Sequence, residues 1–187
     1  MPANTSTGTS DSFSDDQQPL QAACELASYL SQAQLRLVLA ESCTAGNVAG
    51  TLAIVPGISA WLCGSFVIYR NESKAEWLRI PRHLLDDPAV GPVSVQVTEL
   101  LAQHALAATP EADIGVAVTG HIGPGSPAHL DGQAFFALAQ RGSSPVDSRA
   151  RQLKSPAPRD AGDYLARQQR LMECTRWVLE QTLDALQ

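Results

Sequence analysis

A chain of 187 residues with 44% hydrophobic and 17% charged residues is long enough for one domain with a substantial core and has an ordinary globular composition. Its formal net charge of −6 argues against a binder of nucleic acid or of anionic membranes, which carries a basic patch. A small phosphorylated ligand is not excluded, because two or three local donors can hold one phosphate.

Residues 1–18 are rich in Ser, Thr, Asp and Gln. They can bury little and are expected to form a disordered tail, leaving residues 19–187 as the single folded domain. Leu20, Cys24, Ala27 and Leu30 recur at helical spacing and predict a first helix over 19–32. Residues 35–40 predict the first strand. A helix of small residues follows over 46–54 and stops at Pro56-Gly57. Residues 63–69 read as a second strand and 72–78 as a short helix that ends before Pro81. Ser94 is a good N-cap for the clearest helix, with Val97, Leu100, Leu101, His104, Ala105 and Ala108 along one face and Pro110 as its stop. Residues 113–118 read as a buried third strand, followed by a loop rich in glycine and proline over 119–132. Two further strands, 133–140 and 147–153, flank Arg141-Gly142-Ser143-Ser144-Pro145 and read as a hairpin. A long helix over 163–185 closes the order. Strand–helix–strand units imply parallel pairing with right-handed crossovers. The hairpin adds an antiparallel strand, so an α/β fold with a mixed five-stranded sheet is expected.

The four cysteines, Cys24, Cys43, Cys63 and Cys174, are scattered, with no CxxC and no His/Cys set at zinc spacing. They read as reduced thiols of a cytoplasmic protein, three of them packing as small apolar residues. His121 and His129 have no carboxylates or cysteines converging on them in sequence, so neither a metal nor a cofactor is expected. No segment approaches about 18 continuous apolar residues, so no transmembrane helix is expected. The N-terminus lacks the basic-then-apolar pattern of a secretory signal.

The most informative stretch is Ala40-Glu41-Ser42-Cys43-Thr44-Ala45-Gly46. It places a serine or cysteine nucleophile at the carboxyl end of a strand and beside a helix start, where open α/β sheets bind and transform ligands. The pattern alone equally allows Ser42 as a helix cap and Lys74 as a solvated surface residue. Cys43 is a rival nucleophile, but no histidine sits at a spacing to serve it, and a buried structural thiol is the simpler reading. Glu41 could orient the site by hydrogen bonds or pair with a lysine. Thr44 reads as a cap of the following helix, and the N–H groups of residues 43–46 as an oxyanion or phosphate cradle. Asn71 and Glu72 are equally suited to capping and to substrate contact. Thr119-Gly120 and Gly123-Pro124-Gly125 would let backbone approach a ligand closely. Arg167 and Arg170, about one turn apart, offer a guanidinium for a phosphate. Trp61, Trp77 and Trp177 read as core or subunit-interface residues.

Three blocks together, Ala-Glu-Ser-Cys-Thr-Ala-Gly (40–46), Tyr-Arg-Asn-Glu-Ser-Lys (69–74) and Val-Thr-Gly-His-Ile-Gly-Pro-Gly (118–125), resemble the CinA C-terminal domain family. Pro56-Gly57-Ile58-Ser59-Ala60 and Val93-Ser94 lie between them in the expected order. The resemblance covers about residues 20–185. It implies a three-layer α/β/α sandwich whose five-stranded sheet is mostly parallel with one antiparallel strand. It also implies an amidohydrolase that converts nicotinamide mononucleotide to nicotinate mononucleotide and ammonia, without a metal. By motif match Ser42 falls on the nucleophile, Lys74 on its base, and Tyr69 and Thr119 on assisting positions. The family's arginine matches Arg167 best, with Arg159 as the rival. The implied substrate site comprises Glu41, Cys43, Thr44, Gly46, Asn71, Thr119, Gly120, Gly123 and Arg167. A homodimer is implied, with no nucleic-acid or membrane partner. The chain departs from the family pattern at Ala45, at residues 90–94, at His121-Ile122 and at residues 129–133.

Overall fold

In the computed structural model, which describes residues 18–187, the helices and strands run as α1 (Gln18–Ala33), β1 (Leu37–Glu41), α2 (Asn47–Ala53), β2 (Leu62–Val67), α3 (Asn71–Leu78), α4 (Arg82–Leu85), α5 (Val95–Ala108), β3 (Ile114–Gly120), β4 (Gln133–Gln140), β5 (Asp147–Gln152) and α6 (Tyr164–Leu186). The expected tail lies outside the described residues except for Gln18, which opens α1. The sheet order is β2-β1-β3-β4-β5. β1 pairs in parallel with β2 and β3, and β4 is antiparallel to both β3 and β5. This is the mixed sheet with one reversed strand that the sequence predicts.

Strand alternation builds two unlike cores. On one face Leu39, Val116 and Leu138 stand in a row across the sheet under α1, α2 and α6, with Trp177 packed edge-on against Phe136 at a 6.3 Å centroid distance. On the other face the matching row is Ala40, Ala117 and Ala137, and α5 lies over it. The small side chains let α5 come close. A Cβ on Gly115 would sit 2.4 Å from the Ala102 carbonyl oxygen and 2.9 Å from Leu106 Cβ, both on α5. Gly115→Ala is therefore expected to cost about 3 kcal/mol by overpacking, with a fall in melting temperature of roughly 5–10 °C. An unchanged melting curve would mean that α5 can lift from the sheet freely.

Several boundaries differ from expectation for physical reasons. β1 starts at Leu37 and includes Glu41, because Glu41 pairs with both Val67 and Val118 in the ladders. β2 ends at Val67 rather than Tyr69, and β3 continues to Gly120. A 3₁₀ turn at Ile58–Ala60 and the short helix α4 escaped the sequence reading. Cys24 is exposed, and α1 instead buries Ala22, Ala23, Leu26, Ala27 and Leu30. Cys43 and Cys174 are buried, and Cys63 packs half-buried against the core under α5. Ser94 caps α5 as expected, accepting from the Val97 N–H at 3.3 Å. Among the described residues no helix is long and apolar enough to cross a membrane.

Candidate active site

β1 continues its alternation one step past the strand. Glu41 points to the α2 side, Ser42 to the α3/α5 side, and Cys43 back toward α6. Ser42 N–H donates to the Val118 carbonyl at 3.1 Å, which holds the residue in line with the ladder. From α3, Lys74 reaches the same point: its Nζ lies 3.1 Å from Ser42 Oγ and donates to the Ile68 carbonyl at 3.0 Å. Lys74 is 2% exposed, and among the described residues no carboxylate pairs with it. Burial pulls its ammonium down to about 8. A lysine so placed sheds its proton near physiological pH.

The Ser42–Lys74 pair opens into a cavity of about 300 Å³, the size of a small-ligand site. Of the residues singled out from sequence, Ser42, Cys43, Tyr69, Asn71, Lys74, Gly120, Gly123 and Arg167 line it. Pro92, Val93, His121, Ile122, Pro124 and Ser126 complete the wall. His121 stands in the β3–β4 loop, and burial lowers its basicity, against the raising effect of Asp131.

Opposite the dyad, Arg167 donates from Nη2 to the Tyr69 hydroxyl at 2.7 Å, and its guanidinium lies where a Cβ on Gly123 would be, 2.5 Å from Nη1. A side chain at Gly123 would push the guanidinium aside, and Arg167 has no carboxylate partner among the described residues. Its neighbour Arg170 is different. It is 3% exposed and makes a two-pronged bond to Asp131 at 2.7 and 2.8 Å, clamping the β3–β4 loop to α6. This bond holds the Asp131 carboxyl below its ordinary range. Arg159 pairs with Asp163 in the segment leading into α6 and does not line the cavity.

Glu41, Thr44, Gly46 and Thr119 lie behind the wall rather than on it. Glu41 accepts from the N–H groups of Gly46, Val48 and Ala49 at 3.0 Å each, from the Ser65 hydroxyl at 3.0 Å, and from the Thr44 hydroxyl at 2.8 Å. Glu41, not Thr44, therefore caps α2. The turn between them needs left-handed backbone at Ala45 (φ 53°) and Gly46 (φ 92°). With Ala45 N–H also bound, to the Ser42 carbonyl, the N–H groups of Cys43 and Thr44 are the two within residues 43–46 that lack a protein acceptor among the described residues. Thr98 donates to the Ser94 carbonyl at 2.6 Å, so in its 2.7 Å contact with Thr119 the Thr119 hydroxyl is the donor. Sequence reasoning missed Thr98, Ser65 and the Asp131–Arg170 clamp. Face alternation along β2 would have put Ser65 on the Glu41 side, whereas Thr98 on α5 and the clamp carry no local signal.

The family model for the CinA C-terminal domain matches residues 20–171. A CinA-like protein of Geobacter metallireducens is 42% identical over 111 residues, which are 57% of this chain and 26% of that protein. The chain thus matches about a quarter of the length of that relative and of several others. A nicotinamide-nucleotide amidohydrolase PncC of Pseudomonas putida is 39% identical over 117 residues, covering 62% of this chain and 71% of that one. Among solved structures, the competence/damage inducible protein CihA of Agrobacterium tumefaciens superposes with a TM-score of 0.79 at 28% identity, covering 95% of this chain and 99% of that one.

Proposed function

Because the chain belongs to the CinA C-terminal domain family, we propose that it is a Ser–Lys amidohydrolase acting on nicotinamide mononucleotide, yielding nicotinate mononucleotide and ammonia. The observation that carries this reading is the buried Lys74 Nζ, 3.1 Å from Ser42 Oγ, with its basicity lowered to about 8. When Nζ is protonated it donates to Oγ. When it is neutral, its lone pair faces the Ser42 hydroxyl, which then donates, while an N–H stays on the Ile68 carbonyl.

In the proposed reaction neutral Lys74 takes the Ser42 proton as Oγ attacks the carboxamide carbon. The Cys43 and Thr44 N–H groups, which have no protein acceptor among the described residues, are the candidate donors to the carbonyl oxygen as it becomes an oxyanion. Lys74 then hands the proton to the departing ammonia, and water cleaves the acyl-serine by the reverse relay. Arg167, unpaired by any carboxylate among the described residues and braced by Tyr69, is the candidate partner for the phosphate. Operation in the cytoplasm as a homodimer belongs to the same reading. Trp77, 59% exposed on α3, is available to an interface, and sedimentation equilibrium measures the assembly.

Purified protein is expected to release ammonia from nicotinamide mononucleotide, and Ser42→Ala to lower kcat/KM by about 10³-fold or more. Activity surviving in Ser42→Ala would end the serine mechanism. Tight nucleotide binding with no ammonia from any carboxamide would mark a sensor instead, a reading favoured by His121 in the cavity wall.

The base must be uncharged, so activity rises with pH. kcat/KM is expected to climb about tenfold per pH unit below the lysine's value near 8 and to level off above it. The cationic pyridinium of the bound substrate disfavours the ammonium further, so the corresponding break in kcat should fall at lower pH. A flat profile between pH 6 and 9 would remove Lys74 from the role of base.

A further inference from the structure

Cys43 and Cys174 meet inside the core, with their sulfurs 4.0 Å apart. They come from opposite ends of the sequence, one beside Ser42 and one in the middle of α6. We propose that this pair is a modification site: a peroxide joins the two thiols as a disulfide, and the cross-link disables the Ser42 centre. The cross-link itself is independent of the amidohydrolase reading; its effect on turnover rests on it.

The two thiols are unequal. Cys43 lines the cavity and its sulfur lies against Gly120 of the same wall, so a small oxidant has the shorter approach to it. Cys174 is 0% exposed, and its bond to Cys43 and its burial hold it firmly protonated. Oxidation therefore begins at Cys43. Its sulfur attacks hydrogen peroxide, the O–O bond breaks, one oxygen leaves as water and Cys43 becomes a sulfenic acid. The Cys174 sulfur then displaces the hydroxyl, the S–O bond breaks, and the hydroxyl departs as water with the Cys174 proton. Two thiols lose two electrons, and one peroxide becomes two waters.

A disulfide bond is about 2.05 Å long, so the sulfurs must close by about 2 Å. Cys174 is fixed within a helix of 23 residues whose face is built into the core. The motion falls on Cys43, in the irregular turn between β1 and α2. Its sulfur also leaves Gly120, where a Cβ would come within 3.0 Å of it. Ser42 and the free N–H groups of Cys43 and Thr44 are on the same short stretch. Drawing it toward α6 takes Ser42 away from Lys74, which sits on the opposite face of the sheet.

The test treats reduced full-length protein with hydrogen peroxide and maps peptides without reduction by mass spectrometry, alongside ammonia release. The expected result is a Cys43–Cys174 peptide two hydrogens lighter than the free pair, with activity falling at least tenfold in step with the linked fraction and returning with dithiothreitol. Cys174→Ala is expected to keep the reduced activity and form no link. A Cys24→Ser/Cys63→Ser variant, which keeps only the buried pair, is expected to form the same link. A Cys43 sulfinic acid without a link, linkage through Cys24 or Cys63 instead, full activity in the linked protein, or equal reversible inactivation of Cys174→Ala would each overturn the proposal. The mass readout needs no turnover, so an inactive reduced protein would fail the amidohydrolase reading while the cross-link is still scored.

Discussion

Lys74→Met is expected to lower ammonia release by about 10³-fold or more and at the same time to make the folded protein more stable at neutral pH. Lowering a lysine from its ordinary value of about 10.4 to about 8 corresponds to roughly 3 kcal/mol of disfavoured charge in the folded state. Methionine has a similar length and carries no charge. It leaves the Ile68 carbonyl and the Ser42 hydroxyl without their 3.0 and 3.1 Å partner, which returns about 1–2 kcal/mol of the gain. The net is a stabilisation of about 1–2 kcal/mol. Its pH dependence has a definite sign. The wild-type penalty is fully in place below the folded value near 8 and fades as pH rises toward the unfolded value, because the unfolded chain alone binds the proton in that window. Urea unfolding near pH 7 and near pH 10 should therefore show the variant's advantage at the lower pH and its shrinkage at the higher. A variant less stable than wild type near pH 7 would mean that Lys74 is held charged by something other than what surrounds it here.

Glu41→Gln is the second large effect. The side chain keeps its shape, but one of two acceptor oxygens becomes an NH₂ group. Glu41 is 1% exposed, and both of its oxygens face donors, three N–H groups and two hydroxyls. An amide nitrogen must then abut at least two of those donors. Five charge-assisted bonds weaken or vanish, at a cost of about 3–5 kcal/mol, or a melting temperature lower by roughly 10 °C. Since Glu41 ties down the turn that carries Ser42, turnover is expected to fall with stability, and kcat more than KM. A melting temperature within about 2 °C of wild type would show that the turn holds itself without the carboxylate.

Most of the architecture was legible because it follows from short-range pattern. The β4–β5 hairpin declares itself by Arg141-Gly142-Ser143-Ser144-Pro145, and α5 by the Ser94 cap. The buried strand β3 is a continuous apolar run. The dyad was legible through three separated blocks of residues, and the register that makes β1 and β2 neighbours brings their ends together. What was not legible depends on partners far away in the chain. Arg167 and Arg170 look alike on the helix, and only Asp131, 39 residues from Arg170, separates the buried clamp from the guanidinium that faces the cavity. Glu41 read either as orienting the site by hydrogen bonds or as pairing with a lysine; the ladder turns it under α2, where it accepts from the turn that follows Ser42 and pairs with no lysine among the described residues. The orientation of α1 escaped for a similar reason. Its many alanines give almost equally apolar faces, and packing against α6 chooses Ala23 and Leu26 over Cys24.

The step from Glu41 to Cys43 makes the choice between oxygen and sulfur chemistry a matter of odd and even positions. Ser42 meets the lysine because it lies an odd number of residues from Glu41, and Cys43 is sent the other way by the same count. Deleting a single residue at the close of β1 would exchange them, offering a thiol to the amine and a hydroxyl to the apolar interior. Which atom faces the amine is thus written in the phase of a strand as much as in the residue that stands at its tip.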